Sequence, residues 1–145
     1  MIDDDQICTF SLDKQVFGIE VKAVQEVIRY QNMTEVPLAD ESVCGLINLR
    51  GQIVTAVDLR TRLGLPDRAS DQLPMNIIVR GDSGSTTSFL VDSIGEVKMI
   101  DPKNFERTPG TLGGVASEII RGAYKTDDEL ILILDRERAM NVSLN

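Results

Sequence analysis

The stretch from Gly45 to Leu65, GLINLRGQIVTAVDLRTRLGL, returns in altered form at a constant offset of 77 residues. Gly45 falls under Gly122, the turn Arg50-Gly51 under Asp127-Asp128, the run IVTAV under LILIL, and Asp58 under Asp135. Upstream, GIEVKAVQEVI and LVDSIGEVKMI match with a one-residue slip that sets Glu26 opposite Glu96. Two divergent copies of one unit must fold alike, and a unit this small buries too little surface to stand comfortably alone. The copies are therefore expected to share a core.

Each copy reads as a run of short strands. ICTFSL and VFGIEV, separated by DKQ, form a hairpin. Val21, Val24 and Val27 recur every three residues, which predicts a helical turn passing into a strand near Gln25, where β-branched residues dominate. QNMTEVPLADE is a loop, with one helical turn expected at Ala39-Asp40-Glu41. In the recurring stretch, Leu46, Ile47 and Leu49 lie on one strand and Ile53 to Val57 on the next. Gly51 supplies the positive φ of the tight turn between them. Asp58 is placed to N-cap a short helix over Leu59 to Leu63, and Gly64 to end it. Residues 66–74 read as a linker, after which strand, Gly/Ser turn, strand and strand repeat. A Gly/Pro-rich loop, DPKNFERTPGTLGGVASE, precedes the closing hairpin.

About five strands in about 65–70 residues suit a small closed or nearly closed barrel. The expected architecture is all-β: one domain over 1–145, made of two five-stranded barrels sharing a core, with a few short helices. The approximate halves are 6–65 and 75–141, with exchange of strands between barrels left open.

Chemistry is excluded residue by residue. The chain has no histidine, which removes Ser-His-Asp and Cys-His nucleophile pairs and imidazole metal sites. GDSGS resembles a protease nucleophile loop, but Ser83 has no histidine to take its proton, and a turn explains every residue there. The same holds for the adhesion-like tripeptide Arg80-Gly81-Asp82. Neither GDSGS nor GTLGG has the lysine or the strand–helix setting of a phosphate loop. No catalytic residues, cofactor or metal are expected. The rival reading is a small hydrolase using carboxylates or Ser83.

A net charge of −8 disfavours nucleic acid and anionic membrane as partners. No apolar segment approaches the roughly 20 residues that span a bilayer. The start, MIDDDQICTF, has acids where a signal peptide carries bases. Cys8 and Cys44 form no C-x-x-C pair and read as core apolar residues of a reduced, cytoplasmic protein.

What remains is binding surface. Val21, Val24 and Val27, with Ile94, Val97 and Ile100 similarly placed in the second copy, would line an apolar groove from both sides. Such a groove suits an amphipathic helix of a partner. For each valine the alternative is simple core packing. Glu26 and Arg50, opposite charges on neighbouring elements, read either as a surface ion pair or as a polar rim to that groove.

The residues Asn-Leu-Arg-Gly, the apolar run and Val-Asp-Leu together resemble the signature of the CheW family of chemotaxis coupling proteins and of the homologous regulatory domain of the kinase CheA. TFSLDKQVFGIEVKAVQEVI, TEVP, SFLVDSIGEV and IIRGAYKTDDELILILD extend the resemblance over nearly the whole chain. It implies SH3-like barrels and a non-catalytic, cytoplasmic adaptor, monomeric on its own, that bridges the helical tip of chemoreceptors to CheA. It implies a receptor groove carried over to Val21, Val24, Val27, Ile94 and Ile100, and receptor coupling at Glu26, Gly45 and Arg50. The kinase-contacting residues stay unassigned. Thr55-Ala56, Cys44 and Cys8 depart from the family pattern, and a related chemosensory pathway, such as twitching motility or second-messenger control, is the alternative.

Overall fold

The computed structural model describes residues 6–107 and 116–142. The strands are β1 (Gln6–Leu12), β2 (Gln15–Glu20), β3 (Val24–Ile28), β4 (Val43–Leu49), β5 (Gln52–Asp58), β6 (Met75–Arg80), β7 (Thr86–Val91), β8 (Ser93–Met99), β9 (Phe105–Arg107), β10 (Ile120–Lys125) and β11 (Leu130–Leu134). Among the described residues there are also three short helices, α1 (Leu59–Arg62), α2 (Ala116–Ile119) and α3 (Arg136–Met140), and 3₁₀ turns at Val21–Ala23 and Pro102–Asn104. The architecture is all-β, as expected.

The strands form two sheets. One has the order β8-β1-β2-β11-β10-β9 and the other β3-β6-β7-β5-β4. Substituting repeat counterparts turns the second order into the first five strands of the first, so the duplication is structural. The sheets nevertheless do not follow the division of the chain at its linker. The β1–β2 hairpin of the first half pairs with β8 and, in parallel, with β11 of the second. The β6–β7 hairpin of the second half pairs with β3 and, in parallel, with β5 of the first. Neither 6–65 nor 75–141 is a barrel by itself. The sixth strand, β9, is an addition within the Gly/Pro-rich loop. The middle of that loop, 108–115, lies outside the described residues.

Local signals explain the elements. Asp58 and Asp135 both cap: their carboxylates accept from the backbone N–H of Arg60 (3.0 Å) and of Arg138 (3.1 Å). Their own backbone N–H groups donate to the carbonyls of Ser42 (2.8 Å) and Ile119 (2.6 Å), contacts again 77 residues apart. The turn expected before β3 is the 3₁₀ turn Val21–Ala23. No helix forms at Ala39-Asp40-Glu41. Asp40 instead takes hydrogen bonds from the Ser42 N–H and hydroxyl (2.9 and 2.8 Å), an Asx turn that competes with helix.

Among the described residues, three apolar clusters form the core. Phe10, Leu12, Phe17, Ile19, Val57, Leu59, Ile77, Val79, Phe89 and Leu134 belong to the large one, drawn from both sheets. Ile7, Tyr124, Ile131 and Ile133 fill the six-stranded sheet, and Ile47, Val54 and Ile78 the five-stranded one. Strands curl because alternate residues serve different cores: Ile7 joins one cluster and its neighbours Cys8 and Phe10 another. Cys8 is buried and Cys44 half-buried, both free thiols. Burial pushes the Cys44 thiol up to about 11, so at neutral pH it is a small apolar side chain rather than a nucleophile.

Candidate functional site

The recurring hairpin is β4–β5, and its turn needs two positive φ values. Gly51 has φ 87° and Arg50 itself φ 52°, the pairing of a type I′ turn. The Asn48 side-chain oxygen accepts from the Gly51 N–H at 2.9 Å and fixes the tip. Arg50 then reaches across to β3, where its Nη2 donates to Glu26 Oε2. β3 and β4 are the two outer strands of the five-stranded sheet, so this ion pair latches the curled sheet's edges together. The Arg50 guanidinium holds the Glu26 carboxyl below its usual range, and Glu26 in turn raises Arg50. Lys98 on β8 and Glu129 in the β10–β11 turn make the corresponding latch on the other barrel, with the charges interchanged between strand and turn.

Two transverse rows connect the hairpin to β3. Leu46 faces Thr55, Thr55 faces Thr87, Thr87 faces Val79, and Val79 faces Val24. In the next row Gly45, Ala56, Ser88, Ile78 and Glu26 stand in register. The three interior members of that row are fully buried. A shift at Gly45 is therefore in line with Glu26 through a packed, hydrogen-bonded sheet. Gly45 also permits a close approach of backbone. A Cβ there would lie 2.6 Å from the Thr34 carbonyl oxygen, and Thr34 forms a bridge with Leu46.

Val21 and Val24 pack on the large core, and so does Ile94 from the other half. Those three are brought together against one cluster. Val27 is 38% exposed and Val97 57%, one on each outer strand. Ile100 sits apart: it packs with Phe105 and Val16 on the cluster inside the six-stranded sheet, because β8 ends at Met99 and the chain turns away. Residues that sequence reasoning passed over include Met99 and Ile53, exposed by 70% and 60%. Met99 follows Val97 by two residues, a period-2 signal that the expected every-third spacing overrode.

This arrangement places the exposed Val27 and the half-buried Val24 on the strand that carries the charged latch, with no nucleophile–base pair in it. Comparison with known proteins assigns the family of the chain. Residues 6–143 match the CheW-like domain. The chain belongs to the CheW family. It is 30% identical to the chemotaxis protein CheW of Thermotoga maritima over 133 residues, covering 92% of this chain and 85% of that one. It is 26% identical to the chemotaxis protein CheW of Bacillus subtilis over 138 residues, covering 94% and 87%. The crystal structure of the scaffolding protein TtCheW from Thermoanaerobacter tengcongensis superposes with a TM-score of 0.82 at 32% identity, covering 91% of this chain and 89% of that one. CheW is a family of chemotaxis scaffold and adaptor proteins.

Proposed function

We propose that this chain is a non-catalytic adaptor of bacterial chemotaxis, working in the cytoplasm, that couples the helical cytoplasmic tip of chemoreceptors to the regulatory domain of the kinase CheA. The observation that carries the reading is the Arg50–Glu26 latch beside the valine-bearing strand β3. An amphipathic helix has an apolar stripe to lay along Val24 and Val27, and polar flanks to meet Glu26 and Arg50. No helix among the described residues is long and apolar enough to cross a membrane. Coupling follows from differential contact: a receptor that changes state binds this edge differently, and the adaptor shifts the kinase's equilibrium by that difference.

The test uses side chains whose loss costs the fold little, since an exposed ion pair contributes at most about 1 kcal/mol. Arg50 is two-thirds exposed and Val27 is partly exposed. Arg50→Ala and Val27→Asp are expected to leave the urea midpoint close to wild type. Each is expected to weaken binding of a receptor cytoplasmic fragment at least about tenfold, the scale of an interface hot spot, and to abolish receptor control of kinase activity in a reconstituted mixture. Wild-type binding and control by both variants would place the receptor elsewhere.

A further inference from the structure

Leu38 is the most exposed large apolar side chain among the described residues, at 92%, and its backbone has a positive φ of 65°. Among the described residues, Asp13, Lys14 and Arg50 are the other non-glycines with positive φ. Those three are polar and sit in the turns of the β1–β2 and β4–β5 hairpins, where such angles are required. Leu38 lies in neither hairpin. It is the third residue of the turn Val36-Pro37-Leu38-Ala39, closed by the Ala39 N–H on the Val36 carbonyl at 3.4 Å. Proline second and positive φ third is the type II pattern, whose third place favours glycine or asparagine. A leucine there crowds its own backbone, and a side chain this exposed gains no packing to offset it.

The turn is pinned on both sides. Thr34 exchanges two backbone hydrogen bonds with Leu46 on β4, both 2.8 Å. Beyond the turn, Asp40 accepts from the Ser42 N–H and hydroxyl, the Val43 N–H donates to the Asp40 carbonyl at 2.9 Å, and the Ser42 carbonyl accepts from the Asp58 N–H. Leu38 is thus held out from a fixed platform, and a partner that buries it orders little chain in doing so. Glu35, Asp40 and Glu41 are exposed and within three residues of it, and the stretch 34–43 has no Lys or Arg. The site is also apart from the receptor edge. Arg50 follows one end of β4 and Leu38 precedes the other, so seven strand residues, spanning about 20 Å, separate them.

We propose that Leu38 is a preformed anchor for a second protein, seated in an apolar socket whose rim carries lysine or arginine, and that in the coupling complex this protein is the regulatory domain of the kinase. The partner's name rests on the coupling reading above; the anchor and the chemistry of its socket rest on the loop. A receptor helix seated at Glu26 and Arg50 leaves this end of the barrel uncovered, and the kinase is the partner still without a seat.

The experiment compares full-length Leu38→Asn with wild type in urea melts and in titrations against the kinase regulatory domain and, separately, a receptor cytoplasmic fragment. Asparagine tolerates positive φ, so the urea midpoint should be no lower than wild type. Binding of the kinase domain should weaken about tenfold or more, the scale of burying one leucine, while receptor binding is unchanged. Glu41→Lys should slow association with the kinase domain, as loss of electrostatic steering does. A lowered midpoint in Leu38→Asn would show that the leucine serves the fold and would overturn the proposal. Wild-type kinase binding by Leu38→Asn would overturn it and leave the coupling reading standing, whereas a wild-type chain that binds no kinase domain would overturn both. Weakened receptor binding would give the anchor to the receptor and overturn the assignment to the kinase.

Discussion

Asp92→Ala is expected to cost about 3–5 kcal/mol of folding stability, the range for removing one partner of a buried ion pair. The side chains of Arg60, Arg68 and Asp92 are 10%, 7% and 9% exposed. Truncating Asp92 strands two guanidinium groups where water reaches them poorly. Asp58 holds Arg68 through two hydrogen bonds at 2.9 and 3.2 Å, so Arg60 is the more exposed to the loss. Arg68 also ties residues 66–74, which have no regular structure of their own, to the barrel. The same carboxylate sets an acid limit. Burial alone would raise the Asp92 pKa, but the hydrogen bonds from Arg60, the Asp13 N–H and Arg68 outweigh it and hold the group at about 2, against 3.8 ordinarily. A carboxylate depressed by folding stabilises the fold above its unfolded pKa and ceases to as pH falls through its folded one. Wild-type stability is expected to drop between about pH 4 and pH 2 by more than Asp92→Asn drops over the same window. Urea melts across that range measure both effects. An Asp92→Ala loss under about 1 kcal/mol would mean that water solvates the cluster.

The parts of this fold that were readable in the sequence are those written locally. A helix cap needs one aspartate and the next few N–H groups, so Asp58 and Asp135 announced themselves. A tight turn needs residues that tolerate positive φ, and Gly51 did the same, although Arg50 sharing that conformation was not anticipated. The repeat predicted two equivalent sheets because it records the unit. It could not record which copy's hairpin completes which sheet, since β1–β2 and β6–β7 are interchangeable in pattern. The Asp92 cluster joins residues 24 and 32 positions apart, and nothing distinguishes those charges from solvated ones in a string of letters. Convergence of Val21, Val24 and Ile94 on one cluster follows from the repeat. The separate fate of Ile100 follows from where β8 stops, a boundary that pattern fixes poorly.

Gly122→Val is expected to destabilise the fold by about 3 kcal/mol, the upper end of ordinary overpacking, and to do so by a recognisable route. Gly122 and Gly45 hold equivalent places in the repeat, each where the strand pairing shifts register. At each, backbone from a neighbouring segment occupies the space a side chain would need. A Cβ at Gly45 would meet the Thr34 carbonyl oxygen at 2.6 Å. A Cβ at Gly122 would fall on the Glu106 carbonyl oxygen and lie 2.6 and 2.8 Å from the Phe105 ring. Phe105 is not free to swing away, because its ring packs, tilted and 5.1 Å between centroids, on the buried Tyr124. The cheapest relief is to release β9, which is three residues long and paired only through Gly122, Ala123 and Tyr124 among the described residues. Gly122→Val should therefore abolish hydrogen-exchange protection in β9 while leaving β1, β2 and β11 protected, and Gly45→Ala should instead loosen Thr34. Uniform loss of protection across the six-stranded sheet would show that β9 is integral to its closure. Unchanged protection of β9 would show that the close approach at Gly122 has room to relax.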